Sequence, residues 1–246
     1  MHDGQDLSLT EHLEEIRSRI LRCLVVFSLA FLVAYGKVEI LIRFLMAPLR
    51  SVQADIKLSA LTITESFFTS MKLAAAGAFI LASPLILFEL WLFVRPGLVQ
   101  PEKRMASWFF LPVAGLFLLG SAIGYLGFLP FILRLLLSSM GNELVANFSY
   151  AAYVDFTVMF LFACGLMFEL PVIIVFLDVS GIFRVERTAS YRRHGIVAAF
   201  IVGGIISPPD VISQFLIAVP LALLLEFGIQ MAFFCRTFQT SRHSAD

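Results

Sequence analysis

The chain has 246 residues, of which 59% are hydrophobic and only 15% charged, with 18 basic side chains against 18 acidic ones. A water-soluble domain carries about 25% charged residues, so this balance, with a mean hydropathy of +0.91, excludes a soluble globular protein. The zero net charge supplies neither a basic surface for nucleic acid nor an acidic tail, and the length suits one membrane-embedded domain over residues 1–246.

The first ten residues are polar, and the apolar run behind them is too long for a signal-peptide core and lacks a small-residue cleavage site. Residues 1–19 therefore read as an amphipathic segment outside the membrane, leading into a retained span. Apolar stretches follow at 20–35, 67–94, 105–133, 153–180, 195–206 and 211–234. Crossing a hydrocarbon core takes roughly 20 helical residues. The fifth stretch, 195–206, reaches only about 18 Å at 1.5 Å per residue. Ser207-Pro-Pro-Asp210 then ends any helix, so the last two stretches form a short hairpin with its turn below the outer membrane surface. The segment from Gly36 to Ser66 has room for a helix over Val38–Met46, stopped by Pro48. The expected fold is an all-α polytopic membrane protein with six transmembrane helices, the last two short.

Orientation follows from the basic residues. One side holds Arg17, Arg19, Arg22, Arg95, Lys103, Arg104, Arg184, Arg187, Arg192, Arg193, Arg236 and Arg242, twelve of the 18. The other holds Lys37, Arg43, Arg50, Lys57, Lys72 and Arg134. The richer side is expected to be cytoplasmic, with both termini there. No internal repeat of the kind that builds inverted-repeat transporters is visible.

Three constellations carry chemistry. In the first, Thr10 is an N-cap candidate, Leu13, Ile16 and Ile20 share a helix face, and Glu14–Arg17 and Glu15–Arg19 have ion-pair spacing. Two readings stand: a solvated charged face, or a Glu15 carboxylate held at the membrane mouth to receive a guanidinium, whose planar fork suits carboxylate. In the second, Arg95-Pro-Gly-Leu-Val-Gln-Pro-Glu-Lys-Arg104 is either a stiff basic turn or the carrier of a second carboxylate, Glu102, on the same face. Two carboxylates there answer two adjacent arginines. In the third, Glu169 lies deep in the fourth stretch beside Pro171. It reads as a functional intramembrane carboxyl or as a protonated packing group. Glu89 and Glu226 lie nearer the ends of their stretches, within snorkelling distance of water.

Catalytic patterns for a zinc protease, a nucleophile elbow or a phosphate loop are missing, and Gly120-Ser-Ala-Ile-Gly124 misplaces its serine. His2, His12, His194 and His243 are scattered, and Cys23, Cys164 and Cys235 lie in or beside apolar runs, so neither a metal centre nor a disulfide framework is expected. The expectation is a protein that is not an enzyme and needs no cofactor.

Six stretches in one order resemble the TatC family, the multi-spanning receptor subunit of the twin-arginine protein translocase. They are His12-Leu-Glu-Glu-Ile-Arg-Ser-Arg-Ile20; Ala47-Pro-Leu49; Ser66-Phe-Phe68 with Lys72; Phe93-Val-Arg-Pro-Gly97 leading to Glu102-Lys-Arg104; Phe168-Glu-Leu-Pro-Val172; and Ser207-Pro-Pro-Asp-Val-Ile-Ser-Gln214 with Pro220. Departures are Ile16 for the usual Leu, Val99 at a position often aromatic, the charge of Asp155, and Tyr191-Arg-Arg-His194. The resemblance implies an inner-membrane receptor for the twin-arginine signal peptides of folded cargo. Its implied partners are small single-span subunits of the TatA and TatB type, the lipid bilayer and further copies of itself. It assigns signal-peptide binding to Glu15, Arg17 and Glu102, with Pro48 and Phe93 in support, and an intramembrane role to Glu169. The alternative from another class is an ion-coupled secondary transporter using Glu169 as its proton site.

Overall fold

The computed structural model describes residues 9–52, 58–94, 113–138, 148–179, 192–206 and 211–243. The first helix, α1 (Leu9–Gly36, 28 residues), runs unbroken from the charged segment into the apolar one, so Glu15 and Arg19 are fixed rigidly to a membrane span. Many of its apolar side chains are not covered by protein: Leu32 is 67% and Val33 62% exposed, as lipid-facing positions are. Where α1 meets α3 (Ile63–Val94, 32 residues), the buried residues are the small Ala34, Ala74 and Ala78. Small residues let backbones approach closely, which is how helices associate where no hydrophobic force separates them from lipid.

Between these two lies α2 (Val38–Val52), which keeps going through Pro48, contrary to the expected stop at Met46. Proline cannot bond the carbonyl four residues back, and here the released carbonyl of Phe44 accepts the Tyr125 hydroxyl at 2.6 Å. The Phe44 and Tyr125 rings also stack, with centroids 4.1 Å apart. Pro84 inside α3 is accommodated likewise, because Ser83 Oγ donates to the Ile80 carbonyl at 2.8 Å. The helix survives wherever a hydroxyl replaces the lost amide.

The following helix, α4 (Val113–Ser138), contains a π turn at Gly124–Phe128, where the Leu129 amide donates to the Gly124 carbonyl five residues back. That widened turn precedes Pro130 and absorbs its missing amide. The fourth span, α5 (Tyr150–Val179, 30 residues), crosses α4 at glycines. A Cβ on Gly120 would lie 2.7 Å from the Cys164 carbonyl, and one on Gly165 would lie 2.6 Å from the Phe117 ring. Gly120-Ser-Ala-Ile-Gly124 is thus a close-packing face, and Phe117 is itself buried in the crossing.

The last two helices are α6 (Arg192–Ile206, 15 residues) and α7 (Val211–His243, 33 residues). The expectation that both are short holds for α6 only. In α7 the apolar run Val211–Phe234 passes without a breaker into a polar tail that continues the helix. Gln214 Nε2 donates to the Phe200 carbonyl at 2.9 Å and ties the two together, with Gly203 backed against the Gln214 carbonyl.

The described residues are almost entirely helical, and α1, α3, α4, α5 and α7 are long and apolar enough to cross a membrane. One departure from all-α is a parallel pair of two-residue strands, β1 (Leu58–Ser59) and β2 (Phe148–Ser149). Just below it, Glu65 accepts the Thr62 amide at 3.3 Å, Ser149 Oγ at 2.9 Å and the Ala151 amide at 3.0 Å. Thr62-Ile-Thr-Glu65 is a capping box, and this one also caps the neighbouring helix.

Candidate functional site

Arg19 brings the two ends of the α1–α3 pair into one charged cluster. Its Nε donates to Glu15 Oε1 at 3.1 Å and its Nη2 to the same oxygen, while Nη1 donates to Glu89 Oε2 at 3.1 Å and Nη2 also to the Leu92 carbonyl at 3.0 Å. Arg22 holds Glu89 Oε1 at 2.9 Å. The Glu15, Arg19 and Glu89 side chains are only 26%, 14% and 15% exposed. Pairing is stronger in such partly desolvated surroundings than on an open surface, so this is a built guanidinium–carboxylate site. Glu89 is therefore an ion-pair partner, not a snorkelling side chain.

The other assigned residues fall into three groups. Arg17 and Glu14 are exposed on α1, and among the described residues neither joins an ion pair. Phe93 is half-buried in the last turn of α3, one residue beyond the Leu92 carbonyl that Arg19 uses. Glu102 lies outside the described residues. Pro48 is buried in α2, at the other end of the 28-residue α1, which spans about 42 Å at 1.5 Å per residue. The structure thus brings Glu15 and the Phe93 turn together but does not bring Pro48 to them. Pro48 sits instead where its missing amide makes room for Tyr125.

Glu169 lies two thirds of the way along α5 and is buried, at 4% exposed. Its Oε1 has no hydrogen-bond partner among the described residues. An unpartnered buried carboxyl oxygen is costly in an apolar setting, and Pro171, two residues on, removes the amide that would bond the Met167 carbonyl. The span therefore offers one unsatisfied acceptor and one released carbonyl within a single turn.

Two further ion pairs were not legible in the sequence. Lys72 and Asp155 meet at 2.8 Å across α3 and α5, so the unusual charge of Asp155 has a partner. Arg192 and Glu226 meet at 3.0 Å across α6 and α7. Both pairs join residues far apart in the chain, with no local spacing to announce them. Among the described residues no group of three or more His, Cys, Asp or Glu side chains is arranged to hold a metal.

Long apolar helices, close glycine crossings and a charged cluster at one helix end define a multi-pass α-helical membrane protein. The family model described as Sec-independent protein translocase protein (TatC) matches residues 11–220. The chain belongs to the TatC family. It is 35% identical over 225 residues to a Sec-independent protein translocase protein TatC of Aquifex aeolicus (strain VF5), covering 91% of this chain and 93% of that one. A TatC of Haemophilus influenzae (strain ATCC 51907 / DSM 11121 / KW20 / Rd) is 34% identical over 227 residues, covering 92% and 89%. Among solved structures, the crystal structure of a twin arginine translocase receptor, TatC, superposes with a TM-score of 0.81 at 34% identity, covering 91% of this chain and 99% of that one. The chain is accordingly a protein-transport component of the Sec-independent, twin-arginine route.

Proposed function

We propose that this protein is the signal-peptide receptor and assembly scaffold of its translocase. The observation that carries the reading is the cradle at Glu15: a partly buried carboxylate, on a rigid helix end, already shaped around a guanidinium. A twin-arginine signal offers two such groups. Glu15 takes one and Glu102 the other, with exposed Arg17 and the Phe93 turn lining the approach. Removing one partner of an exposed pair costs about 0–1 kcal/mol and of a buried pair about 3–5 kcal/mol. Glu15→Gln and Glu102→Gln are each expected to weaken a twin-arginine peptide by about ten- to a hundredfold, measured by equilibrium binding in lipid nanodiscs. Parent-like binding by both variants removes the carboxylate-pair idea.

Six spans with both termini on the cytoplasmic side of the inner membrane complete the reading, supported by the twelve-to-six division of basic residues. Reporter fusions at either terminus are expected to report cytoplasm; an external signal from either one contradicts the orientation. Glu169 receives the helix of a small single-span partner, which satisfies its open oxygen. The short α6 thins the bilayer beside it.

A further inference from the structure

The position that the receptor reading reserves for an incoming arginine is filled by the protein's own Arg19. Four donor contacts of that guanidinium reach three acceptors on two helices: Glu15 Oε1, Glu89 Oε2 and the Leu92 carbonyl. A planar fork suits acceptors spread in this way, whereas a lysine ammonium directs all its donors from one atom. Arg22, on the other Glu89 oxygen, is far more open, with 53% of its side chain exposed against 14% for Arg19. The cluster therefore has one embedded guanidinium and one peripheral one.

We propose that Glu15, Glu89 and the Leu92 carbonyl form a single guanidinium cradle, that Glu89 is its second binding carboxylate, and that Arg19 is a resident occupant which a signal-peptide arginine replaces. The inference rests on the reading that the signal arginines bind at Glu15 and adds the residue and the competitor that set affinity there. Exchange leaves each acceptor with a guanidinium before and after, so neither carboxylate is stranded unpaired in a partly desolvated site. Arg19, released, reaches the headgroup layer on its long stem. Arg22 keeps its own oxygen of Glu89 throughout. Because the cradle is open for only part of the time, apparent affinity falls by the open fraction. Recognition is thereby restrained until the rest of a genuine signal adds its contacts, and arginine is favoured over lysine by the geometry of three separate acceptors.

The test is the affinity of a twin-arginine peptide and of its twin-lysine counterpart for the full chain in lipid nanodiscs. Arg19→Gln is expected to tighten the arginine peptide about tenfold, the change produced by removing a competitor of roughly 90% occupancy. Arg19→Lys, which keeps the charge and loses the fork, tightens it less and carries the test where the glutamine variant does not fold. Glu89→Gln is expected to weaken the arginine peptide about tenfold and to narrow its advantage over the lysine peptide. Unchanged or weaker binding in both Arg19 variants overturns the resident occupant, and unchanged binding and selectivity in Glu89→Gln overturn the second carboxylate. Where Glu15→Gln is impaired but the Arg19 and Glu89 variants are silent, this inference alone fails; where Glu15→Gln and Glu102→Gln also bind like the parent, the carboxylate-pair reading fails with it.

Discussion

Glu169→Leu is expected to stop transport while leaving the protein inserted and at least as stable as the parent. The reason is the open Oε1, buried in a span without a hydrogen-bond partner among the described residues, while the Phe117 amide beside the carboxyl belongs to the helical ladder of α4. A packing carboxyl is kept because its neighbours satisfy it, and removing it strands those neighbours at about 1–3 kcal/mol. Leucine, similar in bulk, instead removes an ionisable group from deep within a span, where charged side chains cost up to about 2.5–3.5 kcal/mol on insertion scales. Function and stability therefore move in opposite directions, as they do at sites held under strain for a purpose. Thermal unfolding in detergent, cargo export, and crosslinks from position 169 to a single-span partner are the three readouts. Normal export, or a marked loss of stability, means that Glu169 is structural.

The second large effect concerns the length of α6. Behind Arg192-Arg193-His194 its apolar residues 195–206 cover only about 18 Å at 1.5 Å per residue, against a core of about 30 Å. Hydrophobic mismatch of this size is relieved by thinning the bilayer or by packing on longer neighbours, and α6 is held to the longer α7 by Gln214 and the Gly203 contact. Four to six leucines inserted after Ile206 add about 6–9 Å and close most of the gap. That variant is expected to insert and to bind signal peptide but to export no cargo. Full export with the lengthened helix shows that the shortness has no mechanistic role.

How far the fold could be read in advance depended on what each signal was made of. Five long apolar helices were legible because an apolar run and a helix in lipid are nearly one statement: without water, backbone groups must bond within the segment. The Glu15–Arg19 pair was legible because four-residue spacing places both on one helix face. Glu89 looks like a snorkelling group in the sequence because its partner lies 70 residues away, a tertiary fact with no local trace. Lys72–Asp155 escaped for the same reason. Pro48 misled in the opposite direction: the rule that proline ends a helix assumes an orphaned carbonyl, and Tyr125, from another helix, supplies the missing donor. The capping box at Thr62–Glu65 has a local sequence signature, whereas the two-residue strands are too short for any periodicity to show.

The central claim is that one membrane face of this chain receives paired arginines at the α1–α3 end. The most direct test is photocrosslinking of a twin-arginine signal peptide, with the probe beside its arginines, to the purified full-length protein in nanodiscs. Adducts are expected on α1 near Glu15 and on α3 near Phe93, lost when both arginines become lysines and reduced by Glu15→Gln. Adducts confined to the opposite end, around α2 and the β1–β2 pair, or equal labelling by the lysine peptide, contradict the account.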